Sequence, residues 1–244
     1  MEHEAYLDMA AVEARHWWFR GRRRILAATI ERLKLKPGAG ILELGSGTGG
    51  NLSLLTRFGR VTAVEMNETA REISQTRADD VDIRAGALPG GLPLGEQKYD
   101  LICLFDVLEH VEEDEATLTV IRRHLAPGGR AVITVPAYQA LFGPHDVALH
   151  HKRRYERAAL AEKLRQAGFV VEKLSFMNMA LLPGAFLVRW LDKALHRAEA
   201  SGTKIPLWPL NEVLTGIFGA EAFLLGRADL PFGLSLLAVV RAAD

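Results

Sequence analysis

The stretch Ile41-Leu42-Glu43-Leu44-Gly45-Ser46-Gly47-Thr48-Gly49-Gly50-Asn51 decides the fold. An apolar, β-type run ends at an acidic residue and gives way to a glycine-rich turn; beyond it, Asn51 to Phe58 reads as a helix. A strand–turn–helix unit of this kind brings backbone N–H groups close to a ligand, and glycines permit the approach because they lack a Cβ. The glycines fit two registers. Gly45, Gly47 and Gly50 give G-x-G-x-x-G; Gly45, Gly47 and Gly49, with Glu43 two residues ahead, give E-x-G-x-G-x-G. Glu43 separates the two, since a carboxylate beside the turn repels an anionic ligand and attracts a cationic one.

Outward from the turn, the rest of the chain alternates strands with helices. Arg60 to Glu65 is a β-rich run ending in a carboxylate, and Asn67 caps a helix running to about Ala78. Val81 to Arg84 is a short third strand. Tyr99 to Asp106 is nearly continuous in apolar residues, as a central parallel strand requires. A helix after Val111 closes at Ala126-Pro127-Gly128-Gly129, and Arg130 to Val135 follows as a fifth strand. The helix from Glu156 ends at Gly168, Phe169 to Phe176 is a sixth strand, and Leu234 to Arg241 is the last. The expected architecture is α/β, a doubly wound and mostly parallel seven-stranded sheet with a helical insertion before the last strand. Its parts are an N-terminal helical lid (1–36), the α/β core (37–176), the insertion (177–230) and the closing strand (231–244).

Composition narrows the function classes. A chain of 244 residues suffices for one large α/β domain, and its 49% hydrophobic content is ordinary for a globular protein. Thirty basic and thirty acidic residues balance, so no global field favours nucleic acid or an anionic membrane. The single cysteine, Cys103, excludes an internal disulfide framework and a four-cysteine zinc site. The acidic start, Met1-Glu2-His3-Glu4, leads into no apolar signal region, and Pro183, Arg189 and Asp192 interrupt the best membrane-span candidate. The cytoplasm is the expected location.

The glycine turn, "YDLICLFDVLEHV" and "LAPGGRAVITVP" together resemble class I S-adenosylmethionine (SAM)-dependent methyltransferases over roughly residues 36–176. Asp146, His151 and Arg153-Arg154-Tyr155 further resemble the D…H-x-R-R-Y signature of a bacterial branch (type 11/23-like). The resemblance implies a Rossmann-like methyltransferase fold with SAM as cofactor. It assigns cofactor contacts to Glu43, Gly45, Ser46, Gly47, Gly49, Asn51, Glu65, Met66, Ala87, Leu88, Phe105 and Asp106. Glu65 is also where a ribose-binding acid ends the second strand, a feature shared with NAD enzymes. Members of the family often carry an acid after the third strand that bonds adenine. Ala85-Gly86-Ala87-Leu88-Pro89 has none, so backbone groups and apolar packing near Ala87 and Leu88 would have to serve.

Candidate chemistry collects after the fourth and fifth strands: Asp106, Glu109, His110, His145, His150 and His151. Carboxyl ends of strands are where open α/β sheets bind ligands. His110 and His151, expected on opposite walls, are the candidate general bases for a hydroxyl acceptor, with Asp106 and Glu109 beside them. Asp106, Glu109 and His110 are spaced to share one helix face. That D-x-x-E-H resembles the E-x-x-E-H of two metal-dependent O-methyltransferase families, which implies Mg2+ or Mn2+ on Asp106, Glu109 and His110 with a further histidine after the fifth strand, His145 or His151. Glu-His also occurs here in metal-free relatives, where it positions the acceptor. The expected reaction is methylation of a hydroxyl on a lipophilic or aromatic small molecule. The rivals are an NAD-linked reductase, disfavoured by Glu43, and a non-catalytic SAM- or lipid-binding module.

Two segments remain. His16-Trp17-Trp18-Phe19-Arg20-Gly21-Arg22-Arg23-Arg24 reads either as aromatics packed on the domain with solvated arginines or as a lid; nucleic acid is the weaker reading. In the insertion, Leu187, Leu191, Leu195 and Ala198 repeat at helical spacing beside Arg189, Lys193 and Arg197. A second helix from about Asn211 to Leu225 is expected to carry Leu210, Val213, Leu214, Ile217 and Phe218 on one face. Core packing, a homodimer interface, peripheral membrane contact and a lipid-like acceptor all suit such helices.

Overall fold

The computed structural model describes residues 3–182 and 205–243. Seven strands form one sheet: β1 (Ala39–Leu44), β2 (Gly59–Glu65), β3 (Asp82–Ala85), β4 (Tyr99–Phe105), β5 (Leu125–Pro136), β6 (Phe169–Met177) and β7 (Ser235–Ala242). Their order is β3-β2-β1-β4-β5-β7-β6. β1 to β5 pair in parallel, and β7 runs antiparallel between β5 and β6. The chain reverses its winding between β1 and β4, which opens a crevice at their carboxyl ends. Central position explains the sequence of β4, where Leu101, Ile102, Cys103 and Leu104 are wholly buried.

The helices are α1 (His3–Val12), α2 (Trp17–Leu33), α3 (Leu52–Leu55), α4 (Glu68–Gln75), α5 (Asp114–His124), α6 (Pro144–Ala148), α7 (Arg157–Gln166) and α8 (Leu210–Leu225). α2 opens on His16, whose Nδ1 accepts from Trp18 N at 3.2 Å, and closes on Lys34 at φ 51°. Its inner face carries Arg22, Ile25, Leu26, Thr29 and Ile30, all buried, and the apolar ones join the main core. α8 lies along α2. Phe218 sits against Gly21, where a Cβ would come within 2.7 Å of its ring, and edge-on to Trp17.

α8 differs from the sequence expectation in its rotation. Of the five apolar residues expected on its inner face, only Phe218 is buried. Leu210, Val213 and Ile217 are exposed, as are Leu224, Leu207 and Trp208. Polar anchors turn the helix instead. Asn211 accepts from Trp17 N at 2.9 Å and donates to Arg15 O at 3.0 Å. Glu221, 2% exposed, accepts from the backbone N–H groups of Asn178, Met179 and Ala180 at 2.6–3.0 Å. The helix expected around Leu187, Leu191, Leu195 and Ala198, with Arg189, Lys193 and Arg197, lies outside the described residues. Among the described residues, no helix is long and apolar enough to cross a membrane.

Candidate active site

The glycine turn leaves β1 with Gly45, Gly47 and Gly49 at φ 68°, 54° and 81°, conformations that glycine adopts without strain. Gly50 has no positive φ, and what a Cβ there would strike is the Glu13 carboxylate. The register is therefore 45/47/49. At Gly45 a Cβ would come within 2.6 Å of Val107, so this glycine also lets β1 and the end of β4 converge.

Two carboxylates frame the turn. Glu43 is 1% exposed; its Oε1 accepts from Asn51 Nδ2 at 3.0 Å, and its Oε2 has no partner. Burial lifts its pKa from 4.5 to about 7, against the Asn51 hydrogen bond and the Arg22 charge. Asn51 thus serves Glu43 and makes no capping bond to α3, which is one turn long where a longer helix was expected. Glu65 accepts from Gly47 N through Oε2 and from Asn67 N through Oε1, both at 2.9 Å. Asn67 caps α4 as expected, accepting from Ala70 N at 3.0 Å. The Ser46 hydroxyl is buried without a partner. Met66 is 72% exposed just past Glu65. Ala87 exchanges both backbone hydrogen bonds with Gly91, at 2.8 and 3.2 Å, so its N–H is not free for adenine; Leu88 beside it is half-buried.

The N-terminal segment closes over this turn. Glu13, 5% exposed, accepts from Thr48 Oγ1 at 2.6 Å and pairs with Arg77 of the α4 end. Arg23 reaches Glu13 O at 2.8 Å and Gly50 O at 3.4 Å. Tyr6 of α1 has its pKa pushed up to about 12 by burial and by the charge of Glu65.

Past β4 the backbone turns sharply. Asp106 sits at φ 57°, and a single 3-10 turn, Leu108–His110, replaces the expected helix. Asp106 therefore does not share a helix face with Glu109 and His110. Its Oδ2 lies 2.8 Å from Arg22 Nη2, and its Oδ1 accepts from Thr134 Oγ1 at 3.0 Å. Among the described residues, the group able to hold a metal ion is Glu109, His110 and His151, with ligand atoms within 4.8 Å of one another. Asp106, which lies against Arg22 and Thr134, falls outside it, a correction to the expected ligand set, and of the two candidate histidines His151 is in the group while His145 on α6 is not.

His110 and His151 do not face each other across a cleft. Their rings meet edge to face with centroids 4.7 Å apart. The reason is backbone: Lys152 N donates to Glu109 O at 2.7 Å, folding the loop after α6 onto the 3-10 turn. Burial, then the neighbouring His151, lowers the His110 pKa to about 4. His151 Nδ1 lies 2.8 Å from Asp146 Oδ1. Asp146 is wholly buried and also accepts from Arg154 Nε at 2.8 Å and Gly143 N at 2.9 Å. Burial opposes its charge, but these three donors hold its carboxyl well below the ordinary range. Tyr155 bonds Asp114 at 3.0 Å, and Arg153 pairs with the same carboxylate. Glu109 is wholly buried with neither oxygen hydrogen-bonded, and burial, then the Asp106 charge, pushes its pKa well above the ordinary value.

Sequence reasoning missed Arg22. Its side chain is 7% exposed and reaches Asp106 and Thr134 at the centre of the crevice. The signal was present: Trp18, Arg22, Ile25, Leu26 and Thr29 follow one helical stripe, which singles out Arg22 from the neighbouring arginines.

The family model for a methyltransferase domain matches residues 18–174, more than half of the chain. The chain belongs to that family. The methyltransferase is 30% identical over 160 residues to a Mycolicibacterium smegmatis protein named a probable SAM-dependent methyltransferase, covering 64% of this chain and 61% of that one. It spans less than two thirds of the length of the first curated relatives that it matches. A TehB-like SAM-dependent methyltransferase from Corynebacterium glutamicum shares its fold (TM-score 0.54, 18% identity, 88% of this chain and 86% of that one). So does the cyclase SpnF (TM-score 0.58, 18% identity, 91% and 81%). These likenesses show a Rossmann-like methyltransferase fold, and SpnF illustrates that the fold alone does not fix the reaction. The residues present fit SAM. The partnerless Glu43 Oε2 is a buried acceptor beside a turn built for close backbone approach, and Glu65, which ends β2, bonds Gly47 N of the same turn.

Proposed function

We propose that the protein methylates a hydroxyl on a lipophilic or aromatic acceptor, with Glu43, Glu65 and the 45–49 turn holding SAM and the His110–His151 pair handling the acceptor's proton. Bound SAM supplies an electrophilic methyl group, so the chain's own task is to align the acceptor oxygen and take its proton. The observation that carries the reading is the contact pair of imidazoles beyond β4, one of them fixed through Nδ1 by a buried carboxylate. Held through Nδ1, such an imidazole keeps its other nitrogen for proton transfer. The apolar stripe left open on α8, Leu210, Val213, Ile217 and Leu224, supports a greasy acceptor or a membrane surface that carries it.

The test is a panel of hydroxyl, amine and carbon acceptors scored by release of S-adenosylhomocysteine. Oxygen acceptors should turn over, and His151→Gln and His110→Gln should lower turnover far more than SAM affinity. Methylation confined to carbon or nitrogen, or full activity with both histidines replaced, would refute the reading. Liposome flotation beside light scattering tests the acceptor class. A stable dimer that ignores liposomes and works fully on a short water-soluble acceptor would remove the lipophilic part.

The partnerless Glu109 favours a second reading, in which a divalent ion on Glu109, His110 and His151 lowers the hydroxyl pKa. Activity abolished by chelator and restored by Mg2+ or Mn2+ would support it; full activity in chelator would exclude it.

A further inference from the structure

The large apolar side chains that the fold leaves exposed are not scattered. Among the described residues most of them fall in one stretch, Leu207 to Phe232. Leu210, Val213, Ile217 and Leu224 recur three, four and seven residues apart, which sets them in one stripe on α8, 41–53% exposed. Leu207 and Trp208 extend it ahead of the helix and are 81–86% exposed. α8 is held from its other faces, by Phe218 against α2 and by the Asn211 and Glu221 anchors. The stripe is therefore surplus to folding, and an apolar patch of this kind marks a contact surface.

The charges beside it are mostly of one sign. Arg20, Arg24 and Arg32 of α2 all reach α8. Arg20 pairs with Glu212, Arg24 Nη1 donates to Thr215 O at 3.4 Å, and Arg32 Nη2 donates to Ala222 O at 2.9 Å. Arg227 closes the row at the carboxyl end, its guanidinium 3.4 Å from the centre of the Phe223 ring. At the amino end Arg15 and Arg20 line a cleft of about 350 Å3 together with Trp208. Against these arginines α8 exposes one acid, Glu212, which Arg20 already holds. Glu221 is buried, and Asp229 beyond the helix pairs with Lys173 and Arg157.

An apolar stripe with a cationic flank and a tryptophan at its end suits the boundary of an anionic bilayer. There the leucines and the indole enter the acyl edge while guanidiniums meet phosphates. A second copy of the chain fits less well. An isologous contact would bring the same arginines to it twice, with only Glu212 to answer them. We infer that α8, with the Leu207–Trp208 approach, is a peripheral docking surface for an anionic lipid bilayer. The surface needs no methyl acceptor, so the inference goes beyond the methyl-transfer reading and stands or falls separately from it. Where both hold, the bilayer is the source of the lipophilic acceptor.

Flotation of the full chain with vesicles of phosphatidylcholine alone, or of phosphatidylcholine with phosphatidylglycerol, tests this with no substrate present. The wild-type protein should float with the phosphatidylglycerol vesicles and fall back as added salt screens the arginines. Val213→Asp with Ile217→Asp should abolish flotation without lowering the unfolding temperature, because both side chains are exposed. Arg15→Glu with Arg227→Glu leaves the stripe intact and should weaken binding roughly tenfold or more. That second pair decides the matter if the first variant fails to fold. A wild-type protein that ignores the anionic vesicles would overturn the inference. So would equal binding to both vesicle types that the arginine variant leaves unchanged. In either case the stripe variant names the true occupant: a dimer dissociated in light scattering means a second copy, and a lowered unfolding temperature means that residues 183–204 cover the face.

Discussion

Replacing Glu43 by Gln should stabilise the ligand-free protein and weaken cofactor binding, and the two effects should differ in their dependence on pH. Glu43 is buried at the end of β1 with one oxygen bonded to Asn51 and the other bonded to nothing. Its pKa in the fold is about 7, against 4.5 when unperturbed, because burial disfavours the charged form. The folded state therefore holds a proton that the unfolded state releases, so stability falls as pH rises from about 4.5 to about 7 and is constant beyond. At about 1.4 kcal/mol for each pH unit, the lift corresponds to about 3 kcal/mol at pH 8 and under about 1 kcal/mol at pH 5. Gln keeps the acceptor that Asn51 uses and carries no charge to desolvate. Urea unfolding followed by tryptophan fluorescence should show Glu43→Gln more stable than wild type by about 3 kcal/mol at pH 8, with most of the gain gone at pH 5. Calorimetry should show weaker SAM binding at both. A variant equally stabilised at the two pH values, or destabilised at pH 8, would refute the argument that this carboxylate is kept at a cost for the ligand.

Three further outcomes follow from the geometry. Glu65→Ala should weaken SAM by roughly 1.5–3 kcal/mol in calorimetry, the range for hydrogen bonds to a charged group, since both ribose hydroxyls are expected on it. Asp146→Ala should cost roughly 3–5 kcal/mol at pH 7 in thermal unfolding, because it strands the buried Arg154 and releases His151; as the native carboxyl titrates well below the ordinary range, the deficit should narrow as pH falls below about 4. Glu221→Ala should cost roughly 2–4 kcal/mol and speed hydrogen exchange at Asn178, Met179 and Ala180, whose N–H groups it now accepts from.

The sheet was legible because its signals are local and redundant. β4 reads as central from Leu101 to Leu104 alone, and the carboxylates ending β1 and β2 mark the crevice edge. The grouping of catalytic candidates was less so. Spacing put Asp106, Glu109 and His110 on one helix face, but a left-handed residue at Asp106 turns the chain before any helix begins. No periodicity reports that φ. Likewise His151 meets His110 because the loop after α6 folds back, held by Lys152 N to Glu109 O and by the bonds of Arg153 and Tyr155 to Asp114. Contacts of that kind depend on tertiary closure, which residue spacing does not encode.

The faces of α2 and α8 carry the same point one step further. Hydrophobicity alone predicts that Phe218 goes inward with Leu210, Val213 and Ile217, and that all the arginines of α2 stay outside. The fold departs from both because polar anchors outweigh the apolar stripe: Asn211 and Glu221 bond five backbone groups, that of Asn178 buried. Rotating α8 to bury its leucines would forfeit those bonds. Arg22 is drawn inward in the same way, by Asp106 at the centre of the crevice. Each departure leaves something unsatisfied, an open apolar stripe on α8 and a partnerless Nε on Arg22. The first of these is where a lipid surface has chemistry left to meet.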